Sequence, residues 1–214
     1  MALALEGTPK HVNSGSGSSV ALPAFTTTVA TQVFIAVTVN SATVSSITGG
    51  SLTWTKRKST GQGSPVELWT APAASALSSV VFTVNLSISS SFCTCDVFAF
   101  SGNDTSTIWD GNASVPASQT TADPIAETTN NANDVLIGAF RMNTQGNPTA
   151  GTGFTLISGA NFQLCEYQIV SSSGAQSLTI GTGVGDANGC IADAMMAAAA
   201  STSTVLPVMM FDNP

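Results

Sequence analysis

The sequence predicts an all-β protein, a jelly-roll-like double-sheet β-sandwich built from two internally similar halves with an arm at each end. Three observations carry this. Charged residues are only 8% of the chain, against roughly 25% in ordinary domains. Ser, Thr, Asn and Gln therefore supply the polar surface, which suits strands and turns better than helices, whose outer faces carry Glu, Lys and Arg. Short apolar runs alternate in period two and are separated by glycine-rich turns. Finally, a series of strand-like elements recurs in the same order after about a hundred residues.

The repeat can be followed element by element. Val33–Val37 is answered by Val135–Ala139, each an apolar strand. A glycine turn leading to Leu52-Thr53-Trp54-Thr55 is matched by Gly151-Thr152-Gly153-Phe154-Thr155. Val66-Glu67-Leu68-Trp69 corresponds to Cys165-Glu166-Tyr167-Gln168, and Phe82-Thr83-Val84 to Leu178-Thr179-Ile180. Asp96 in CDVFAF has its counterpart at Asp193 in ADAMMA. In SPVELWTAP, Val66 and Leu68 point one way while Glu67 and Trp69 point the other. Two units that each leave an apolar face uncovered must pack together, so one domain is expected. The reading is an N-terminal arm over 1–19 and a sandwich of about eight to ten strands over 20–200. Pseudo-repeats occupy about 30–102 and 133–198, a crossover at 103–132 wraps the outside, and a C-terminal arm follows over 201–214.

Charge and cysteine usage narrow the function. A net charge of −7 with five basic residues, three of them in Lys56-Arg57-Lys58, disfavours general nucleic-acid binding, which needs a broad basic face. The basic run reads as a solvated strand end. No apolar stretch is long enough for a membrane helix, and MALALEGTPK lacks the basic start and apolar core of an export signal. Synthesis in a host cytoplasm is expected, with Cys93, Cys95, Cys165 and Cys190 reduced.

Candidate chemistry is sparse. His11, the single histidine, falls in the expected arm, where a Ser-His-Asp arrangement lacks a fixed surround. Cys93 and Cys95 share one strand face and read as packing, and a Cys165–Cys190 crosslink stays open. Asp96 and Asp193 interrupt apolar strands and need partners, for which Arg57 and Arg141 are the candidates. Glu67 and Glu166 hold equivalent places in the two halves. They could meet as the carboxyl pair of a glycan hydrolase, or lie on exposed strand faces. Trp54, Trp69 and Trp109 are candidate ligand-stacking residues for a sugar. Asp104, Asp110 and Asp123 lack a regular calcium spacing, and GTGVGDANG reads as a hairpin loop. No catalytic residue, cofactor or metal is assigned.

The run TQVFIAVTVN, then GGSLTWTKRKS, SPVELWTAPAA, FCTCDVFAFSGNDTS and NDVLIGAF resembles a β-sandwich module of bacteriophage virion proteins. That module also occurs in bacterial surface and prophage proteins. The resemblance spans roughly residues 20–200 and implies particle architecture or adhesion, not a reaction. Both chain ends are apolar: Leu3 and Leu5 at one, and Val205, Leu206, Val208, Met209, Met210 and Phe211 at the other. Burying the last six side chains would contribute about 1.5–3 kcal/mol each against about 1–2 kcal/mol per residue of backbone ordering, so the tail should dock on something.

These eight residues are the expected partner-binding set. The expectation is a non-enzymatic virion protein, a capsid decoration or cement protein, acting as a homotrimer on the major capsid protein, without nucleic acid or membrane. A tail fibre or carbohydrate-binding module is the alternative, and a glycan hydrolase the second.

Overall fold

The run Thr31–Val39 is buried at every position. A strand in a simple two-sheet sandwich has one covered face and one solvated face; this strand has two covered faces. The computed structural model describes residues 2–121, 123–181 and 187–199 and is all-β, with fourteen strands among them. The first half supplies β1 (Ala4–Ser14), β2 (Gly17–Ala21), β3 (Thr31–Val39), β4 (Val44–Thr48), β5 (Thr55–Ser59), β6 (Val66–Ala73), β7 (Thr83–Ser90) and β8 (Cys93–Ser101). The second supplies β9 (Ala117–Gln119), β10 (Ile125–Thr129), β11 (Val135–Gly146), β12 (Thr155–Ile169), β13 (Gly174–Leu178) and β14 (Ala187–Met195).

Four antiparallel sheets result. The first half forms a large sheet, β1-β8-β3-β6-β5, and a small one, β2-β7-β4. The second forms a large sheet, β12-β11-β14-β9, and a small one, β10-β13. The central order β8-β3-β6 repeats as β14-β11-β12, and β1 beside β8 is matched by β9 beside β14.

Alternation along β3 explains the layering. Val33, Ile35, Val37 and Val39 enter the core shared with the first small sheet. Phe34 and Ala36 enter a second core, where they meet Val135, Ile137 and Ile191 of the other half. Leu136, Phe140, Leu178 and Cys190 form a third core beneath the second small sheet. Two sandwiches are thus packed through their large sheets, with Phe34 stacked on Phe98 at 5.4 Å and edge-on to Phe100 at the junction.

Two expected boundaries are corrected. Residues 4–14, placed in an N-terminal arm, are the edge strand of the first large sheet, paired with β8 from Ala4↔Ser101 to Ser14↔Cys93. Leu3 is buried and Leu5 packs beside it in the inter-sandwich core, so these two side chains complete the protein's own interior. The crossover 103–132 likewise contains two strands, β9 and β10. Both segments were obscured because their strands are short or broken by a bulge between Glu6 and Lys10, which interrupts the period-two pattern. The tail residues Val205, Leu206, Val208, Met209, Met210 and Phe211 lie outside the described residues, as does the 182–186 part of the glycine-rich loop.

Close packing makes Gly138 of β11 a sensitive position. An added Cβ would meet the Phe140 ring at 2.6 Å, Glu166 Cγ at 3.1 Å and Leu178 Cδ2 at 3.2 Å. Gly138→Ala is expected to cost about 1–2 kcal/mol, the lower part of the overpacking range, because the end of the Phe140 ring can shift. An unchanged urea midpoint would show that the third core has slack there.

Candidate functional site

The densest polar chemistry lies between the two large sheets. Antiparallel register sets His11 of β1 opposite Asp96 of β8, and β8 alternation turns Asp96 towards the second sandwich along with Phe98 and Phe100. Asp96 is fully buried. Its Oδ1 lies 2.7 Å from His11 Nδ1, its Oδ2 accepts from Gln163 Nε2 at 2.6 Å, and the Cys165 thiol approaches Oδ2 at 3.6 Å. Gln163 also donates to the Ala36 carbonyl at 3.1 Å, so one β12 side chain ties the two halves together twice. The hydrogen bond that His11 donates to Asp96 raises the His11 pKa, burial opposes it, and the Asp96 charge adds to the rise.

The duplicate acid is bound from the opposite side. Asp193 of β14, also fully buried, accepts from Arg57 Nε at 2.8 Å and from Nη2 at 2.7 Å. Burial pushes the Asp193 carboxyl up, and the Arg57 hydrogen bonds pull it back. The Arg57 guanidinium also sits 3.6 Å from the centre of the Trp109 ring. The clasp is reciprocal: Arg57 of the first half holds Asp193, and Gln163 of the second holds Asp96 together with His11 of Asp96's own half. Asp193 is held by Arg57, one of the two candidate arginines. Asp96 instead uses His11 and Gln163, because Arg141 lies on β11, whereas His11 is its cross-strand neighbour.

Several expectations change with this geometry. His11 is half-buried in the clasp and is not a solvated arm residue. Ser158 Oγ comes within 3.4 Å of His11, but at Nδ1, the nitrogen already facing Asp96, while Nε2 faces Asn161 Nδ2 at 3.1 Å. A nucleophilic serine needs the nitrogen opposite the acid, so the three groups are not arranged as a proton relay. The basic run is solvated only in part: Lys56 is exposed with its Nζ 3.1 Å from Glu67, and Arg57 holds Asp193.

Glu67 and Glu166 are both fully buried, not exposed. Each points away from the inter-sandwich junction, because their neighbours Val66, Leu68 and Cys165 face it. The thickness of two stacked sheets therefore separates the carboxyls, more than a hydrolase pair tolerates. Glu67 Oε2 accepts from Trp69 Nε1 at 2.8 Å, and Glu166 Oε2 from the Gly151 amide at 2.7 Å. Burial lifts Glu166 to about 7.

The three tryptophans are engaged internally. Trp54 packs edge-on to Phe82, Trp69 serves Glu67 with Lys56 above its ring, and Trp109 lies between Arg57 and Phe34. Cys165 faces the second core and Cys190 the third, on opposite sides of one sheet, so they cannot be joined.

A second acidic group had no sequence signal beyond alternation in Ile125-Ala126-Glu127-Thr128-Thr129. Glu127 and Asp134 are buried, and burial raises each to about 8, with Asp110 adding to both. For Asp110 itself, burial is outweighed by the neighbouring Asp134 carboxyl and by hydrogen bonds from the Asn112 and Asn130 amides and from Asn131, which lower its pKa. Asp104 caps a turn through Ser106 and Thr107, and Asp123 accepts from the Ile180 amide. Among the described residues no group of three or more His, Cys, Asp or Glu is placed to hold a metal ion.

His11→Asn is expected to lower stability by about 2 kcal/mol at pH 6, the worth of a hydrogen bond to a buried charged group. Urea denaturation at pH 6 and 9 checks this. His11 loses its charge as pH rises, so a loss of the same size at both pH values would show that its charge is irrelevant.

An open cleft of about 550 Å³ lies where β3 begins and β6 and β8 end, lined mainly by small and apolar residues. Compared with known proteins, the chain matches no family model, no curated protein and no solved structure.

Proposed function

We propose that this protein is a non-enzymatic structural component of a bacteriophage virion, a decoration or cement protein that binds the major capsid protein on the outer surface. The observation carrying this reading is the reciprocal clasp. Asp96 and Asp193, the acids that recur in the two halves, join two duplicated sandwiches into one block. Such a block suits a part used in many copies. The low charge is in keeping with the same reading. Acting as a homotrimer, it would add modest contact energies over symmetric sites, which is how many weak contacts stabilise a shell.

The test is copy number per purified particle, by quantitative gel densitometry against the major capsid protein. Hundreds of copies support the capsid role. A few tens would instead fit a tail-associated module, and absence from particles would end the virion reading.

A further inference from the structure

The apolar cleft and the point where the chain leaves the described fold coincide. Ala198 lines the cleft together with Val29, Pro72, Ala73, Ala74 and Ile108. Its amide donates to the Gly102 carbonyl at 2.8 Å, and Ala197 bridges Asn103, so the exit is fixed at the cleft rim. Gly102 makes this corner possible: it takes φ +79° and packs against the backbone of Ala2, where a side chain would collide.

We propose that the cleft receives the C-terminal segment Val205–Phe211 of the same chain. The cleft presents no charged side chain among its described lining, and Val29 at its wall is 37% exposed. The segment is correspondingly apolar, with its acid, Asp212, beyond it. Its volume lies within the range of about 300–1,000 Å³ that accommodates ligands of a few side chains. The segment starts seven residues after Ala198, and an extended chain covers roughly 3.3–3.6 Å per residue, ample for folding back. A short tether gives the chain's own tail an effective concentration in the mM range, which favours it over a neighbour's tail. Pro207 has no amide hydrogen and suits a groove better than a sheet interior. The contact does not depend on where the protein resides.

The test is photocrosslinking of the full chain with p-benzoylphenylalanine at position 211, read by gel and peptide mass spectrometry. The expected product has the mass of one chain and joins position 211 to peptides containing residues 29–32, 72–74 or 103–108. Ala74 is exposed, so Ala74→Asp leaves the core intact. It should cut the yield at least about fivefold by setting a charge against the apolar segment, with an unchanged melting temperature. Products of twice the mass would mean that the tail binds a neighbouring copy. Those products, crosslinks elsewhere or no crosslink would each overturn the proposal, whatever the copy number in particles proves to be.

Discussion

Arg57→Ala is expected to lower the unfolding free energy by about 3–5 kcal/mol, the cost of leaving one member of a buried ion pair alone. Asp193 has no solvent exposure and Arg57 only 16%, so water cannot replace the guanidinium. The loss has three parts: two hydrogen bonds of 2.8 and 2.7 Å, the cover over Trp109, and the charge that offsets the carboxylate. Arg57→Lys should recover little, because an ammonium cannot offer the planar pair of donors.

The double variant Arg57→Met with Asp193→Leu separates charge from packing. It should regain most of the stability, since apolar replacements of a buried pair are often neutral or better. Denaturation by guanidinium chloride measures all four proteins. A loss under about 1 kcal/mol for Arg57→Ala would mean that the pair behaves as a surface bridge and that the two sandwiches are held by their apolar junction alone. Two separated transitions in the variant would show that the clasp couples their unfolding.

The second large effect is a fall in stability with rising pH. Glu127 is lifted from the ordinary 4.5 to about 8 by burial and by the charges of Asp193, Asp110 and Asp134, and Asp134 from 3.8 to about 8. A carboxyl whose folded pKa is raised binds its proton more tightly in the native state. Its contribution is complete below the unfolded pKa and is lost as pH rises through the folded one. At 1.36 kcal/mol per unit, Glu127 alone accounts for about 3 kcal/mol between pH 5.5 and 8.5.

His11 acts in the same direction, because its folded pKa is also raised. Asp110, whose pKa is lowered, loses its contribution only as pH falls below the ordinary carboxylate range. Maximum stability is therefore expected at mildly acidic pH. The Glu127 share alone should lower the melting temperature by about 6–12 °C from pH 5.5 to 8.5, at roughly 2–4 °C per kcal/mol for a chain of this size, and Asp134 adds to it. Glu127→Gln, neutral throughout, should make the profile shallower, with Asp134 keeping its own share, and melt above wild type at pH 8.5. A wild-type profile that is level or rising over that range would refute the buried, proton-holding acids.

Strand identity was legible where an apolar run met a turn signal. Val33–Val37, Val66–Trp69, Cys95–Phe100 and Val135–Ala139 all lie in strands, and the repeat linking them reappears as the same sheet order in both halves. Short strands such as β9, and β1 with its bulge, were not legible, because three residues or a broken alternation cannot be told from loop. Buried acids inside apolar strands signalled a need for partners, and of the two candidate arginines only Arg57 is one, on Asp193. Gln163, Ser158 and Asn161 carried no comparable signal, since a polar residue in a strand is ordinarily on a solvated face.

The sequence by itself determined that the chain is all-β, that it is duplicated, and that Asp96 and Asp193 must be satisfied. Each follows from local patterning, which depends on residues a few positions apart. Only the tertiary structure decided that the large sheets face each other, that Glu67 and Glu166 point in opposite directions, and that Leu3 and Leu5 belong to the protein's own core. Alternation tells which side chains share a face of a strand, but not what covers that face. Here the cover is the other half of the same chain, supplied by contacts between residues as far apart as Arg57 and Asp193.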